Sequence, residues 1–234
     1  GHHMPLLSVS VVDDATGAQT PCRLYLTDAA GTAVIPSTDH VGFHVGEESH
    51  FLCGGSFEVS LDPGPNDLRI ERGPEYTPVT DTVRIAAGEA VQREYRLARW
   101  IDMNADGWYS GDLHAHRDPA DMSLAVRAEA LNVGTNIVYH NTATPDTPPP
   151  RGILTPAPNC AYSTGDAEVE RLHEGPGAVV LLGMREPIPT ENLDTLHPTD
   201  MSYIDLARAQ GAHVDGEKPF WRGVPVNAAL GGLD

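Results

Sequence analysis

The chain has 234 residues and a formal net charge of −18, with 15 basic against 33 acidic side chains. This excess of negative charge repels phosphate backbones and anionic lipids, which argues against nucleic acids and membranes as partners. No apolar run approaches the roughly 20 residues of a membrane-spanning helix. Residues 1–4, GHHM, are typical of a cleaved purification tag and are left out of the fold. A secreted protein loses its signal peptide by cleavage, so the sequence leaves both a cytoplasmic and a secreted location open.

Residues 5–98 predict the first domain, an antiparallel β-sandwich. Alternating stretches such as LSVSVVD at 7–13 and CRLYLT at 22–27 are followed by turns rich in Asp and Gly. Two further strands are predicted around the turn DPGPN at 62–66, and two more lie within 81–100. Short strands at intervals of about ten residues are typical of sandwiches.

Residues 99–234 predict a second domain of the α/β class. Helical spacing of apolar residues predicts helices over 121–134 and 198–211. Strands are predicted at TNIVYH and in GAVVLLGMRE and AHVD, and residues 142–158 are predicted to be a proline-rich loop. Strands that alternate with helices favour parallel β/α units, in which functional side chains gather at the carboxyl ends of the strands.

The segment GWYSGDLHAHRDP, at 107–119, carries His114 and His116 two positions apart. In an extended strand, residues i and i+2 lie on the same face, so both imidazoles point the same way. Two neutral imidazoles side by side are ready ligands for a divalent metal ion. The alternative is a pair of surface or core histidines that bind no metal.

Further candidate ligands follow the later predicted strands. His140 ends TNIVYH, and His213 belongs to AHVD. We predict that His114, His116, His140 and His213 hold a divalent metal, with zinc favoured and manganese or iron as alternatives. Glu186, Glu217 and Lys218 are predicted to be catalytic, because they complete the ligand shell, move protons or bind an anion. For His140 and Glu186 a purely structural role stays open.

Two resemblances to known families add to these inferences. The phrases PCRLYLTD, GSFEVSLDPG and RIERGPEY resemble transthyretin-like or carboxypeptidase-regulatory-like β-sandwiches, which implies a structural or docking domain. WYSGDLHAH, at 108–116, resembles the opening motif of the CehA/McbA metallohydrolases of the polymerase-and-histidinol-phosphatase (PHP) superfamily. That resemblance implies a distorted β/α barrel that binds one to three metal ions, with His114 and His116 as the first ligands.

The sequence departs from this family in two places. The usual Thr-Asp-His motif is replaced by VYHNT, in which His140 has no preceding Asp. Residues 99–234 are also too few for a barrel of typically about 250 residues. The expected fold is therefore two-domain: an N-terminal antiparallel β-sandwich followed by a C-terminal α/β domain, a partial PHP-like β/α barrel.

These sequence features are compatible with three functions. The main prediction is a metal-dependent hydrolase in which metal-activated water attacks an ester, amide, carbamate or phosphoester of a small-molecule substrate. The first alternative is a non-catalytic binding or structural protein with a degenerate second domain. The second alternative is a biosynthetic enzyme that uses the metal for a non-hydrolytic step. Because the barrel is short, a homo-oligomer that completes the site is a further expectation.

Overall fold

The computed structural model describes residues 4–37, 41–45, 48–141, 151–171, 175 and 177–234. Residues 1–3 of the predicted tag remnant lie outside these described residues. The chain forms two compact units. The first unit consists of residues 1–110 and 123–132, and the second of residues 111–122 and 133–234. The predicted domain division between residues 98 and 99 stays a prediction.

The first unit consists of two β-sheets around a common core. Its strands are β1 (Leu6–Asp13), β2 (Cys22–Thr27), β3 (Val41–Val45), β4 (Glu48–Cys53), β5 (Ser56–Ser60), β6 (Gly64–Glu71), β7 (Val79–Ile85) and β8 (Ala90–Leu97). One sheet has the order β5-β1-β8, and the other has the order β3-β4-β2-β6-β7. Buried and less buried side chains alternate along strands such as β1 and β2, and the inward-facing residues form one apolar core that includes Leu7, Leu24, Phe51, Ile70 and Leu97.

The prediction of a wholly antiparallel sandwich is wrong. β1 pairs with β8 in parallel over its full length, whereas every other strand pair of this unit is antiparallel. A short 3₁₀-helix, Met103–Asp106, follows β8. The alternating apolar pattern reveals which side chains face the core, but it carries no information about the direction of a neighbouring strand.

The remaining elements are β9 (Gly111–Ala115), α1 (Met122–Ala128), β10 (Val133–His140), β11 (Gly152–Ala157), β12 (Cys160–Glu170), β13 (Ala178–Leu182), α2 (Asp200–Arg208), β14 (His213–Asp215) and α3 (Gly223–Ala229). The second unit is built on one mixed sheet with the order β14-β13-β12-β10-β9, and β11 pairs with β12 beside it. α1 lies between β9 and β10 in the chain, and from Ser123 onward it belongs to the first unit, where Ala125 and Ala128 pack with Leu52.

The predicted β/α barrel, and with it the predicted fold class, is wrong. β9, β10 and β12 are parallel, but β13 is antiparallel to β12 and β14 is antiparallel to β13. β12 and β13 are joined by a short connection, whereas a β/α barrel needs a helix between parallel neighbours. The chain is mostly β-structure in both units. No helix among the described residues has the length and apolarity needed to cross a membrane.

The predicted proline-rich loop over 142–158 is corrected in its second part. Residues 142–150 lie outside the described residues, but β11 pairs with β12 as an antiparallel hairpin. The sequence pattern does not predict β12, although at 11 residues it is the longest strand among the described residues. Polar and small residues dominate its first half, CAYSTG, so it lacks the apolar pattern by which strands are recognised.

The core of the second unit contains a buried ion pair. Arg171 Nε donates to Asp200 Oδ1 at 2.7 Å, and Asn227 Nδ2 donates to Asp200 Oδ2 at 2.9 Å. The Arg171 side chain is fully buried, and that of Asp200 is 5% exposed. Asp200 also lies in the first turn of α2, where a negative charge is favoured by the helix dipole. The pair thus ties α2 and α3 to the end of β12.

Replacing Asp200 should destabilise the second unit. We expect Asp200→Ala to lower its unfolding free energy by about 3–5 kcal/mol, because the Arg171 charge would be left buried and unpaired. Asp205→Ala, at an exposed position of the same helix, is the matched control and should change it by less than about 0.5 kcal/mol. Hydrogen–deuterium exchange of α2 and β13 measures both, and equal protection in the two variants would contradict the assigned role.

Candidate metal centre

The strand directions of the second unit bring several strand ends to one edge of its sheet. β9, β10 and β12 run in parallel, and β14 has the same direction because two antiparallel pairings separate it from β12. The side chains near the carboxyl ends of these four strands therefore lie at one edge. We call them the His/Glu cluster: His114, His116, His140, Glu168, Glu170, Glu217 and Lys218.

The pairing of β12 with β10 is irregular just before the two carboxylates of β12. Asn136 of β10 pairs with Thr164, but the next residue, Ile137, pairs with Asp166, so Gly165 is an extra residue. Gly165 has φ +96°, a backbone conformation that side chains with a Cβ rarely adopt. A second irregularity follows on β10 between Ile137 and Tyr139, which restores the original register, and Glu168 lies directly opposite His140.

Three ligand atoms of the cluster come within hydrogen-bond distance of one another. The Nε2 atoms of His114 and His116 are 2.8 Å apart, and Glu168 Oε2 lies 3.2 Å and 3.0 Å from them, respectively. Two ligands of one tetrahedral zinc ion are separated by roughly 3.3 Å, given zinc–nitrogen bonds of about 2.0–2.1 Å. The spacing of this triad is therefore close to that of ligands around a single small divalent ion.

A second group of ligand atoms shares Glu168 with this triad. His140 Nε2 lies 3.1 Å from Glu170 Oε2 and 3.7 Å from Glu168 Oε2. The rings of His116 and His140 are neighbours, with centroids 5.3 Å apart. The Glu168 side chain is 3% exposed, so the carboxylate that joins the two groups is almost completely shielded from water.

The outer side of the cluster is formed by the segment after β14. Lys218 Nζ donates to Glu168 Oε1 at 2.6 Å and to Glu170 Oε1 at 3.1 Å. Glu217 Oε1 contacts Nδ1 of His114, the ring nitrogen that faces away from the triad. A carboxylate at this second nitrogen fixes the orientation and tautomer of a metal-binding histidine.

The protonation states that the cluster favours are those of metal ligands. Burial alone would raise the pKa of Glu168, but the hydrogen bond and charge of Lys218 outweigh burial and hold it below the usual value. Burial lowers the pKa of His116 below its usual value despite the nearby Glu168. The carboxylate is therefore ionised and the imidazole is neutral at pH 7, as metal coordination requires.

The structure brings some of the predicted site residues together and places others elsewhere. His114, His116, His140, Glu217 and Lys218 all belong to the cluster. His213 begins β14, so it lies at the opposite edge of the sheet, where its side chain is 83% exposed and 3.8 Å from Asp234.

Glu186 is also remote from the cluster. It is exposed and follows β13, the strand that runs against its neighbours, and its backbone N–H donates to Gln210 Oε1 at 2.8 Å. The predicted parallel β/α units implied a parallel β13, whose carboxyl end would lie at the edge that carries the histidines.

Glu168 and Glu170 were missed by the sequence analysis. They are two positions apart in DAEVE, at the end of β12, so the same-face rule that singled out His114 and His116 applies to them as well. The signal was present, but it lies in a segment that was not recognised as a strand.

Comparisons with known proteins identify no family for the chain. No protein-family model matches it, and no curated protein matches it. Fourteen solved chains match. Among them are a group B streptococcus pilus 2b backbone protein (14% identity, 42% of each chain covered, TM-score 0.33) and GBS52, the minor pilin of Streptococcus agalactiae (17% identity, 42% of this chain and 45% of that chain covered, TM-score 0.32).

A third match is BcpA, the major pilin subunit of Bacillus cereus, with 11% identity and a TM-score of 0.30; 41% of this chain and 30% of that chain are covered. The chain thus spans less than half the length of each of these pilins. The predicted membership in the CehA/McbA metallohydrolases of the PHP superfamily, with a transthyretin-like sandwich, is wrong, because the second unit is a mixed sheet rather than a β/α barrel.

The bulge at Gly165 should be sensitive to substitution. A Cβ at this position would lie 2.8 Å from Cγ of Arg151, and φ is positive, so we expect Gly165→Ala to destabilise the second unit by about 1–3 kcal/mol. Gly183→Ala is the matched control, because Gly183 also has positive φ but has no atom within 4 Å of the added Cβ. Urea unfolding followed by hydrogen exchange of β12 measures the difference, and an equal loss in both variants would contradict it.

Proposed function

We propose that the chain is a metal-binding protein whose second unit holds a divalent ion in the His/Glu cluster. The observation that carries this proposal is the triad of His114, His116 and Glu168, whose ligand atoms lie 2.8–3.2 Å apart around a buried carboxylate. Without a metal ion, two imidazole nitrogens at this distance must share one proton between them. With a metal ion, both lone pairs point at the same cation.

Zinc is the ion that these ligands favour, with manganese and iron as alternatives. Two imidazoles and a carboxylate form a mixed nitrogen and oxygen ligand set. Borderline divalent metals suit this set better than calcium or magnesium does. Because every candidate ligand belongs to the second unit, this unit supplies the whole site from its own residues.

The geometry favours the binding alternative over hydrolysis. The hydrolysis prediction was tied to a β/α barrel, whereas the described residues of the second unit form a mixed sheet. We therefore propose a binding role and do not carry the predicted hydrolysis forward.

Metal content is the direct test of this proposal. We expect about one equivalent of zinc in the purified wild-type chain after equilibration and desalting, and less than about 0.1 equivalent in His114→Ala/His116→Ala. His213→Ala is the matched control, because that histidine is exposed at the opposite edge, and it should retain the ion. Inductively coupled plasma mass spectrometry gives the ratio. Equal zinc in the double variant and the control, or none in the wild type, would overturn the proposal.

The contact of Glu217 with His114 yields a separate expectation. Glu217→Gln should weaken zinc binding by about 10–100-fold, because His114 loses the carboxylate that orients its ring and increases its basicity. Glu186→Gln, an exposed carboxylate remote from the cluster, should leave the affinity unchanged. Competition with a chromophoric chelator measures both dissociation constants. A Glu217→Gln variant with wild-type affinity would show that Glu217 does not support the site.

A further inference from the structure

We propose that the Lys218 ammonium serves as the second cation of the His/Glu cluster, so that the cluster holds one metal ion rather than two. This inference rests on the proposed function, because it concerns how many ions that site accepts. The cluster contains two groups of ligands, one around His114 and His116 and one around His140, and Glu168 belongs to both. Judged by ligand types alone, it could hold a pair of ions.

The position of Lys218 is specific to the second group. Its ammonium contacts Oε1 of both Glu168 and Glu170, and these are two of the three side chains of the group around His140. The Oε2 atoms of the same carboxylates face the imidazoles. The ammonium is also 5.1 Å from the ring of Trp221, a distance at which a cation is attracted by an aromatic face.

The charges of the cluster fit one metal ion together with the lysine. Glu168, Glu170 and Glu217 contribute three negative charges. One divalent ion and the Lys218 ammonium contribute three positive charges, and the site is then neutral. A second divalent ion would leave an excess of two positive charges around a nearly buried carboxylate, and it would lie beside an ammonium that already binds the same two side chains. Like charges at such distances disfavour joint occupancy.

The composition of the chain makes this lysine unusual. Lys218 is the single lysine among the 15 basic residues, and all others are arginines. An ammonium is a compact charge on a flexible stem, whereas a guanidinium is a broad planar group. The chain thus uses its one ammonium at a position where it lies between two carboxylates, Glu168 and Glu170.

The stoichiometry of zinc binding tests the inference. We expect isothermal titration and elemental analysis to give about one zinc ion for wild type and about two for Lys218→Met, which keeps the length of the side chain but removes its charge. Lys218→Arg keeps the charge and should stay at one. Adding His140→Ala to Lys218→Met should return the number to one, since it removes a ligand of the second group.

The outcomes separate this inference from the proposed function. Two zinc ions in wild type, or one in Lys218→Met, would overturn the role of Lys218 and leave the metal site in place. No zinc in any variant would overturn both. A second readout needs no variant: biosynthetic ¹⁵N-lysine labelling marks Lys218, the single lysine, without altering its ammonium, and its NMR signal in the wild-type chain should stop changing at one equivalent of zinc. A signal that disappears or shifts further up to two equivalents would contradict the proposal.

Discussion

The buried carboxylate of Glu168 is the group around which the second unit arranges its polar residues. A carboxylate that is 3% exposed is stable only if other charges or hydrogen bonds replace the water it has lost. Here the replacements come from three other elements: His114 and His116 from the end of β9, His140 from β10, and Lys218 from the segment after β14. Removing any one element would leave this charge with fewer partners.

That arrangement depends on strand direction more than on the identity of single residues. The ends of β9, β10, β12 and β14 share an edge because these strands run the same way, and the antiparallel β13 is the exception that carries Glu186 away. Glu168 lies opposite His140 because the pairing of β10 with β12 has the same register on both sides of its irregular segment. A mixed sheet thereby achieves at one edge a convergence of side chains that is usually associated with parallel sheets.

The sequence was sufficient for the parts of the site that obey a local rule. The His-x-His spacing on an extended segment predicted two imidazoles on one face. The position of His140 at the end of a short apolar strand predicted that it lies near them. Neither prediction needed knowledge of the overall topology. The β-sandwich was predicted by the same kind of local information, since alternation reveals the buried face of each strand.

The parts that failed depend on long-range pairing. The direction of β13 and the parallel pairing of β1 with β8 are set by contacts between strands that are distant in sequence, and residue patterns do not encode them. His213 was predicted to lie with the other histidines because it was assigned to the carboxyl end of the strand AHVD. It is instead the first residue of β14, so it lies at the opposite edge of the sheet. Glu168 and Glu170 were missed because the first half of β12 is polar, even though their own spacing follows the same rule as the histidine pair.

The comparison of the two polar centres in the second unit explains why only one of them is a candidate site. Arg171 and Asp200 form a closed pair: one cation and one anion, both buried, with Asn227 donating to the remaining carboxylate oxygen. The His/Glu cluster instead contains three carboxylates and one ammonium, so it carries an excess of negative charge that its own residues do not neutralise. An ion pair that balances itself stabilises a fold, whereas an unbalanced cluster of ligands at a sheet edge would gain stability from a cation that bound the folded unit and not the unfolded chain.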